Sequence, residues 1–397
     1  MALMPVDEAL ARVLGAGKIL GAELVKLDEV IGRVLAKDLK AKRDQPPFQS
    51  SAMDGYAVRH EDLNDPLMIV GVSAAGHGFK DIVKKGQAVR ILTGAPLPKG
   101  ADTIVIQENV SLNGKHLVVH EAPALGRNIR PRGLDFKKNA VLISAGTRVT
   151  ARDIGLMAAA NAAVVSVRKR PRIVLFTTGD ELVLPGDHPR ADQIFSSNSQ
   201  ALAAMLKFWG AEVINLGIVR DDMRATIAAI NKAADADILV TTGGASVGDH
   251  DYVQEALKRA GIKIGFWKIA LRPGKPLMFG TKGELSVLGL PGNPVSALVC
   301  ARIFLKPLIG KMLGLNGHDE PVMARVAEAL PANDERQDYL RATLRHEEDG
   351  VRVVSVFSKQ DSSMQRNLRD ADCLILRPPG APEVAKGALV PIILIDF

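Results

Sequence analysis

The sequence is short of the residues and patterns that mark many enzyme classes. It holds two cysteines in 397 residues, Cys300 and Cys373, with no metal-ligand spacing between them. A disulfide framework does not fit, and a reducing, cytoplasmic setting is expected. Aromatic residues make up only 4%, so the cores must be built mainly from Ala, Val, Leu and Ile. There is no H-E-x-x-H and no C-x-x-C, which argues against a zinc hydrolase. No Walker loop and no G-x-G-x-x-G fingerprint occurs either. Apolar stretches such as 156–165 and 389–395 are far too short to span a bilayer, and the first residues lack the basic-then-apolar order of a signal peptide. No membrane association is expected. The excess of 51 basic over 44 acidic residues gives a net charge of +7 and favours an anionic partner. The basic residues are scattered and no aromatic-basic motif interleaves them, so no nucleic acid is expected.

What is present is a succession of textures. Residues 5–22 predict an amphipathic helix, with Ala9, Leu10, Val13 and Leu14 at helical spacing. From about 24 to 148, β-like runs (67–72, 88–92, 103–110, 116–120) alternate with Gly, Pro and Asn turns. A helix over 151–160 follows, with Thr150 as its N-cap. From Arg172 the chain alternates strand and helix: strand 173–176, helix 199–209, strand 212–218, a helix to about 236, strand 237–242. That order argues for a mainly parallel sheet covered on both faces, with ligand sites where the strands end at their carboxyl edge. Those ends carry Asp180, Glu181, Asp221, Asp222, Asp249 and Asp251. After a helix at about 296–313, β-like runs at 322–330, 341–345, 351–356 and 390–395 predict a small β-domain.

Each candidate motif has a plain structural reading beside the functional one. Pro47 to Ala57 (PFQSSAMDGYA) puts Asp54-Gly55 in what reads as a tight turn, and Asp54 as a candidate carboxylate. Thr93, in LTGAP, is a candidate oxyanion donor in a punctuated β-module. Arg127, Arg130 and Arg132 stand within six residues, followed by Asp135; arginine suits bidentate oxyanion binding, and a solvated basic face is the alternative. Gly243-Gly244-Ala245-Ser246-Val247-Gly248-Asp249-His250-Asp251 follows an apolar strand. Glycines let backbone N–H groups face an anion, Ser246 adds a donor, and carboxylates at the loop's end suit magnesium; a simple strand-to-helix turn is the alternative. Lys268, Arg272 and Lys275 surround a Pro-Gly turn that suits phosphate or another oxyanion, or merely solvent. Pro291-Gly292-Asn293-Pro294-Val295-Ser296 forms a rigid turn into a helix whose N-terminus is positive.

These segments, in this order, resemble the molybdopterin molybdenumtransferases, the family of MoeA and the gephyrin E-domain. The resemblance rests on SSAMDGYA, LTGAPLPKGAD, NIRPRGLD, TTGDEL, TTGGASVGDHDY, RPGKPLMFG and GLPGNPVSA, which together span 47 to about 300. It implies a multidomain α/β plus β protein. A discontinuous domain I (1–22 and 137–170) would carry an inserted β-module, domain II (23–136). Domain III (171–315) would be a doubly wound α/β domain similar to the molybdopterin adenylyltransferases. Domain IV (316–397) would be a small β-barrel. The implied reaction inserts molybdate into adenylylated molybdopterin with Mg²⁺ and releases AMP.

Carried over residue by residue, the resemblance makes Asp54, Asp135, Asp222 and Asp251 catalytic, with Glu181, Asp222 and Asp251 as metal ligands. Thr93, Arg130, Glu181, Gly243, Gly244, Ser246, Lys268, Arg272, Lys275, Pro291, Pro294, Ser296 and Ser362 would bind substrate. Arg272 stands where the family often has Lys, and Asp361 where a small residue is common. The resemblance also implies a homodimer with composite active sites, and admits a molybdopterin adenylyltransferase and molybdoenzyme maturation factors as partners. The competing expectation is a non-catalytic pterin-binding or scaffold protein of the same fold. The presence of Asp54 and Asp251, which a scaffold could lose, weighs against it.

Overall fold

The computed structural model describes residues 3–243, 252–315, 320–348 and 350–397. The chain forms two compact units: one comprises Met1–Glu23, Gly32–Ala36 and Val167–Phe397, the other Leu24–Ile31 and Lys37–Ser166.

The second unit is built on a six-stranded sheet, in the order Thr103–Ile106, Gly55–Val58, Gln87–Ile91, Leu67–Ser73, His116–Val119, Val110–Asn113. Gly55 does not make the tight turn that its Asp-Gly context predicts. It opens the buried Gly55–Val58 strand, where a β-carbon would stand 2.0 Å from the Val105 carbonyl oxygen. Close backbone approach, not a turn, requires glycine there. The helix Ala151–Ala159 starts at Thr150 as predicted, and the Asp153 carboxylate returns a capping-box bond to the Thr150 N–H at 2.7 Å.

The first unit has an α/β part and a barrel. Its sheet runs Glu212–Val219, Arg172–Thr178, Ile238–Thr242, Leu285–Leu290, Met278–Lys282, Lys263–Trp267. The first four strands are parallel and the last two antiparallel. Strand alternation sends Ile173 and Leu175 to one face, against Leu202 and Leu206. It sends Val174 and Phe176 to the other, against Ile230 and Leu257. Both faces are covered, which explains why these strands are apolar throughout.

The helix predicted over 5–22 is shorter, Val6–Ala16. The backbone turns extended at Gly17, where a β-carbon would meet Leu308 Cδ1 at 2.6 Å; glycine is a poor helix former and close packing ends the helix here. The helix predicted over 296–313 is Pro294–Cys300 and Lys306–Met312 joined by a π turn at Ala301–Leu305.

The barrel closes five strands in the ring Gln337–His346, Arg352–Val356, Val322–Val326, Leu389–Leu394, Cys373–Arg377, and back to Gln337–His346. Ala342, Val354, Cys373, Ile375 and Ile392 fill it. Leu271–Arg272 adds a short parallel strand beside Gln337 and Asp338.

Candidate active site

A cavity of about 910 Å³ lies at the carboxyl edge of the α/β sheet. Four parallel strands deliver its wall: Thr177 and Thr178 end the first and Gly179 follows it, Asp221 comes after the second, Gly243 after the third, Pro291 and Gly292 after the last. The Arg172–Thr178 strand stands between Glu212–Val219 and Ile238–Thr242. The chain leaving Arg172–Thr178 continues to the Glu212–Val219 side and the chain leaving Ile238–Thr242 to the Leu285–Leu290 side, so a crevice opens between the ends of these two strands, the usual ligand position in such sheets. Gly243 has φ +88°, and a β-carbon there would meet the Thr178 carbonyl oxygen at 2.2 Å. Only glycine allows the third strand to end this close to the first.

A buried network holds the wall. Asn198 Nδ2 donates to the Gly292 carbonyl (2.7 Å) and to Thr242 Oγ1 (3.2 Å), while Thr242 Oγ1 donates to the Pro291 carbonyl (3.0 Å). The Pro291–Pro294 turn is thereby tied to the third strand and to the helix Asn198–Phe208. Ser362 braces the same turn: its Oγ accepts from Asn293 Nδ2 (2.9 Å) and its carbonyl accepts from the Val295 N–H (3.0 Å).

The wall carries both charge signs. Lys268 and Lys275 line it, as do Glu181 and Asp221. Lys268 has φ +75°, the left-handed region that lysine rarely occupies. Its backbone is held there by bonds from its own N–H to the Leu277 carbonyl and from the Ile269 N–H to the Lys275 carbonyl, and its Nζ lies 4.9 Å from the Trp267 ring centroid. A non-glycine residue in this conformation at a pocket wall is the kind of local strain that functional sites retain. Burial, together with the neighbouring Asp180 and Glu181 charges, pushes the Asp221 carboxyl above its usual range, although the Asp180 N–H donates to it at 3.2 Å. Negative charge is crowded on this side of the pocket.

Of the substrate-binding residues expected from sequence, Glu181, Gly243, Lys268, Lys275, Pro291, Pro294 and Ser296 line this one cavity. Asp222 does not. Its Oδ1 accepts from the Ala225 N–H at 2.8 Å and caps the helix Met223–Asn231, while its neighbour Asp221 faces the cavity. In an Arg-Asp-Asp run both acids look alike; helix capping decides which is spent on structure. Arg272 is also placed elsewhere. Its guanidinium bonds Asp334 at 2.8 Å, Asn333 at 3.2 Å, and Asp338, tying the turn to the barrel. The hydrogen bond and charge of Asp338 hold it firmly protonated. Ser362 braces the wall rather than lining it; Ser363 and Gln365 line it instead. Gly244, Ser246 and Asp251 lie outside the described residues. The run 244–248, which spells G-x-S-x-G, lies outside them as a whole.

The second unit carries its own cluster. Asp54 Oδ1 accepts from both the N–H and the hydroxyl of Thr93, each at 2.7 Å. These donors, with a smaller contribution from the Arg90 charge, hold the Asp54 carboxyl below its usual range. Arg130 reaches the same neighbourhood because Ile129–Arg130 pairs with Ser50–Ser51, while Gly94 donates to the Ser51 carbonyl at 2.9 Å. Asp135 stands further along: its N–H donates to the Gln45 carbonyl at 2.9 Å and its side chain is exposed.

The family models match in order along the chain: MoeA N-terminal region (domain I and II) over residues 4–161, probable molybdopterin binding domain over 174–311, and MoeA C-terminal region (domain IV) over 323–395. A molybdopterin molybdenumtransferase of Nostoc sp. is 38% identical across 92% of this chain and 87% of its own length. The chain belongs to the molybdopterin molybdenumtransferase family. The Haemophilus influenzae member is 35% identical over 93% of both chains. Among solved structures, the molybdopterin biosynthesis MoeA protein of Pyrococcus horikosii superposes with a TM-score of 0.87 at 29% identity, covering all of both chains. Family membership accounts for the order of the textures: an N-terminal β-rich unit, an α/β part that matches the probable molybdopterin binding domain and whose carboxyl edge holds the cavity, and a closing barrel.

Proposed function

We propose that this chain inserts molybdenum, supplied as molybdate, into adenylylated molybdopterin and releases AMP with Mg²⁺. As a family member it is a transferase of molybdenum cofactor biosynthesis, and the proposal concerns how its residues divide the work. The observation that carries it is the cavity with two lysines and two carboxylates at one sheet edge.

Molybdate and a phosphoanhydride are both anions, so Lys268 and Lys275 would bind and orient them. Glu181 and Asp221 are hard oxygen donors, and the crowding that raises Asp221 marks a place where a cation relieves repulsion. Among the described residues no group of three ligands stands ready to hold a metal. Mg²⁺ is usually held by one or two carboxylates together with substrate phosphates, a role that Glu181 and Asp221 would fill. When bound there it would neutralise charge on the leaving phosphate. Asp251, expected beside them, remains part of the proposal. The protein's share is positioning and electrostatic stabilisation, which requires no covalent intermediate with the enzyme.

Asp54, held ionised by Thr93, would act with this set. We take the working enzyme to be a homodimer in the cytoplasm, with sites composed from two copies. No helix of the described residues is long and apolar enough to cross a membrane. The deciding assay supplies adenylylated molybdopterin, Mg²⁺ and molybdate, and measures AMP release together with molybdenum bound to pterin. Absence of both products would overturn the proposal. Mixing Asp54→Ala with Asp221→Ala chains tests the composite site, since heterodimers should recover part of the activity lost in each.

A further inference from the structure

We propose that Phe195 is the platform on which the flat heteroaromatic ring of the substrate stacks, so that it seats the ring while the lysines and acids handle the charged end. The inference rests on the function proposed above.

Half of the chain's sixteen aromatic side chains are buried in its cores. Phe195 is instead 50% exposed, and among the described residues it is the only aromatic side chain lining the cavity. Beside it Ile194 is 60% exposed and lines the same wall. Leaving a phenyl ring half in water forgoes part of the stabilisation that burial would give; an occupant that covers it recovers that.

The backbone that carries the ring is also held in place. Ile194–Phe195 pairs in parallel with Leu182–Val183. The Ile194 N–H donates to the Glu181 carbonyl at 2.7 Å, and the Ser196 N–H to the Val183 carbonyl at 2.8 Å. The platform is thus fastened by backbone bonds to the residue that carries the cavity's Glu181 carboxylate. A substrate whose phosphate lies by the acids and lysines would have its planar group within reach of the phenyl face. A flat, polar, nitrogen-rich ring suits such a face, because stacking needs a π-system and makes no demand on its hydrogen-bonding edge. Two rings share this chemistry in the proposed substrate, the pteridine and the adenine.

The test is Phe195→Ala beside Phe195→Tyr. A ring lost from a stack weakens binding by about ten-fold. Phe195→Ala should raise the concentration of adenylylated molybdopterin for half-maximal turnover by that factor, leave the molybdate dependence unchanged, and melt like wild type. Phe195→Tyr should restore wild-type values. Calorimetry with AMP alone and with a simple pterin alone separates the two rings. A loss confined to AMP assigns the platform to adenine, and a loss confined to the pterin assigns it to the pteridine. Binding of both by Phe195→Ala as by wild type, or of neither by wild type, overturns the proposal. So does a variant that keeps ring binding but changes its sedimentation, which would make Phe195 a contact between chains. These binding measurements stand apart from turnover: wild-type protein that binds a ring through Phe195 yet inserts no molybdenum would retain this inference and sink the function it rests on.

Discussion

Asp54 and Asp221 are both candidate carboxylates at strand ends, yet their surroundings act in opposite senses. Two donors from Thr93 converge on Asp54 and hold it ionised below its ordinary range. Asp221 is half-buried beside Asp180 and Glu181, and burial and repulsion press it toward the neutral form. Donors stabilise a fixed anion; crowding creates a demand for a cation. The β-module therefore offers a ready carboxylate, and the α/β cavity offers a crowded one that a positive partner would stabilise.

The largest effect is expected at the crowded side. Asp221→Asn should lower molybdenum insertion by at least about 100-fold, the upper range seen for weakened metal sites, with melting unchanged or slightly raised because repulsion is relieved. Wild-type turnover in this variant would end the contrast. Protons and cation compete for Asp221, so the Mg²⁺ concentration for half-maximal activity should rise as pH falls toward its raised pKa, and Asp221→Asn should abolish that slope. Next, Lys275→Ala should raise the molybdate concentration for half-maximal insertion by roughly ten- to a hundred-fold, the scale of one charged hydrogen bond; an unchanged molybdate curve would leave Lys275 a solvated charge.

On the other side of the comparison, Thr93→Val removes one of the two donors to Asp54. Activity should fall about ten-fold, the scale of a positioning partner. The sign of the pH effect follows from the depressed pKa. Asp54 stays ionised as pH falls, so losing a donor moves the acid limb of the rate profile to higher pH. A limb that stays in place would show that Asp54 does not control it.

Two smaller effects sharpen the comparison by testing charges spent on structure. Arg272→Ala leaves the buried Asp338 without its cation and should cost about 2 kcal/mol of stability, seen as a lower melting temperature with an unchanged molybdate curve. Asp222→Ala removes a helix cap and should cost about 1 kcal/mol with turnover close to wild type. Activity loss without destabilisation at Asp222 would restore it to the site in place of Asp221.

Much of the site was legible because the features that mark it are local. Glycine after an apolar strand, proline before a helix and lysine beside a Pro-Gly turn are read one segment at a time. Gly243, Pro291, Pro294, Lys268 and Lys275 accordingly converge on one cavity. Asp221 and Asp222 could not be separated this way, since their difference is whether the carboxylate turns back to the Ala225 N–H. Phe195 carried no signal at all, because an aromatic residue before Ser-Ser-Asn looks like one that belongs in a core.

By itself the sequence determined the order of the three textures, the apolar strands that need cover on both faces, the Thr150 cap and the glycines that the close strand ends demand. These follow from side-chain period and backbone sterics, which act over a few residues. Only the tertiary structure decided that Arg272 serves the barrel, that Ser362 braces the Pro291–Pro294 turn, and that Glu181, Asp221 and the two lysines share a wall. Those outcomes depend on which segments, separated by tens of residues, pack together. Long-range packing sets the desolvation and hydrogen-bond partners that turn one acid into a cap and its neighbour into a crowded site.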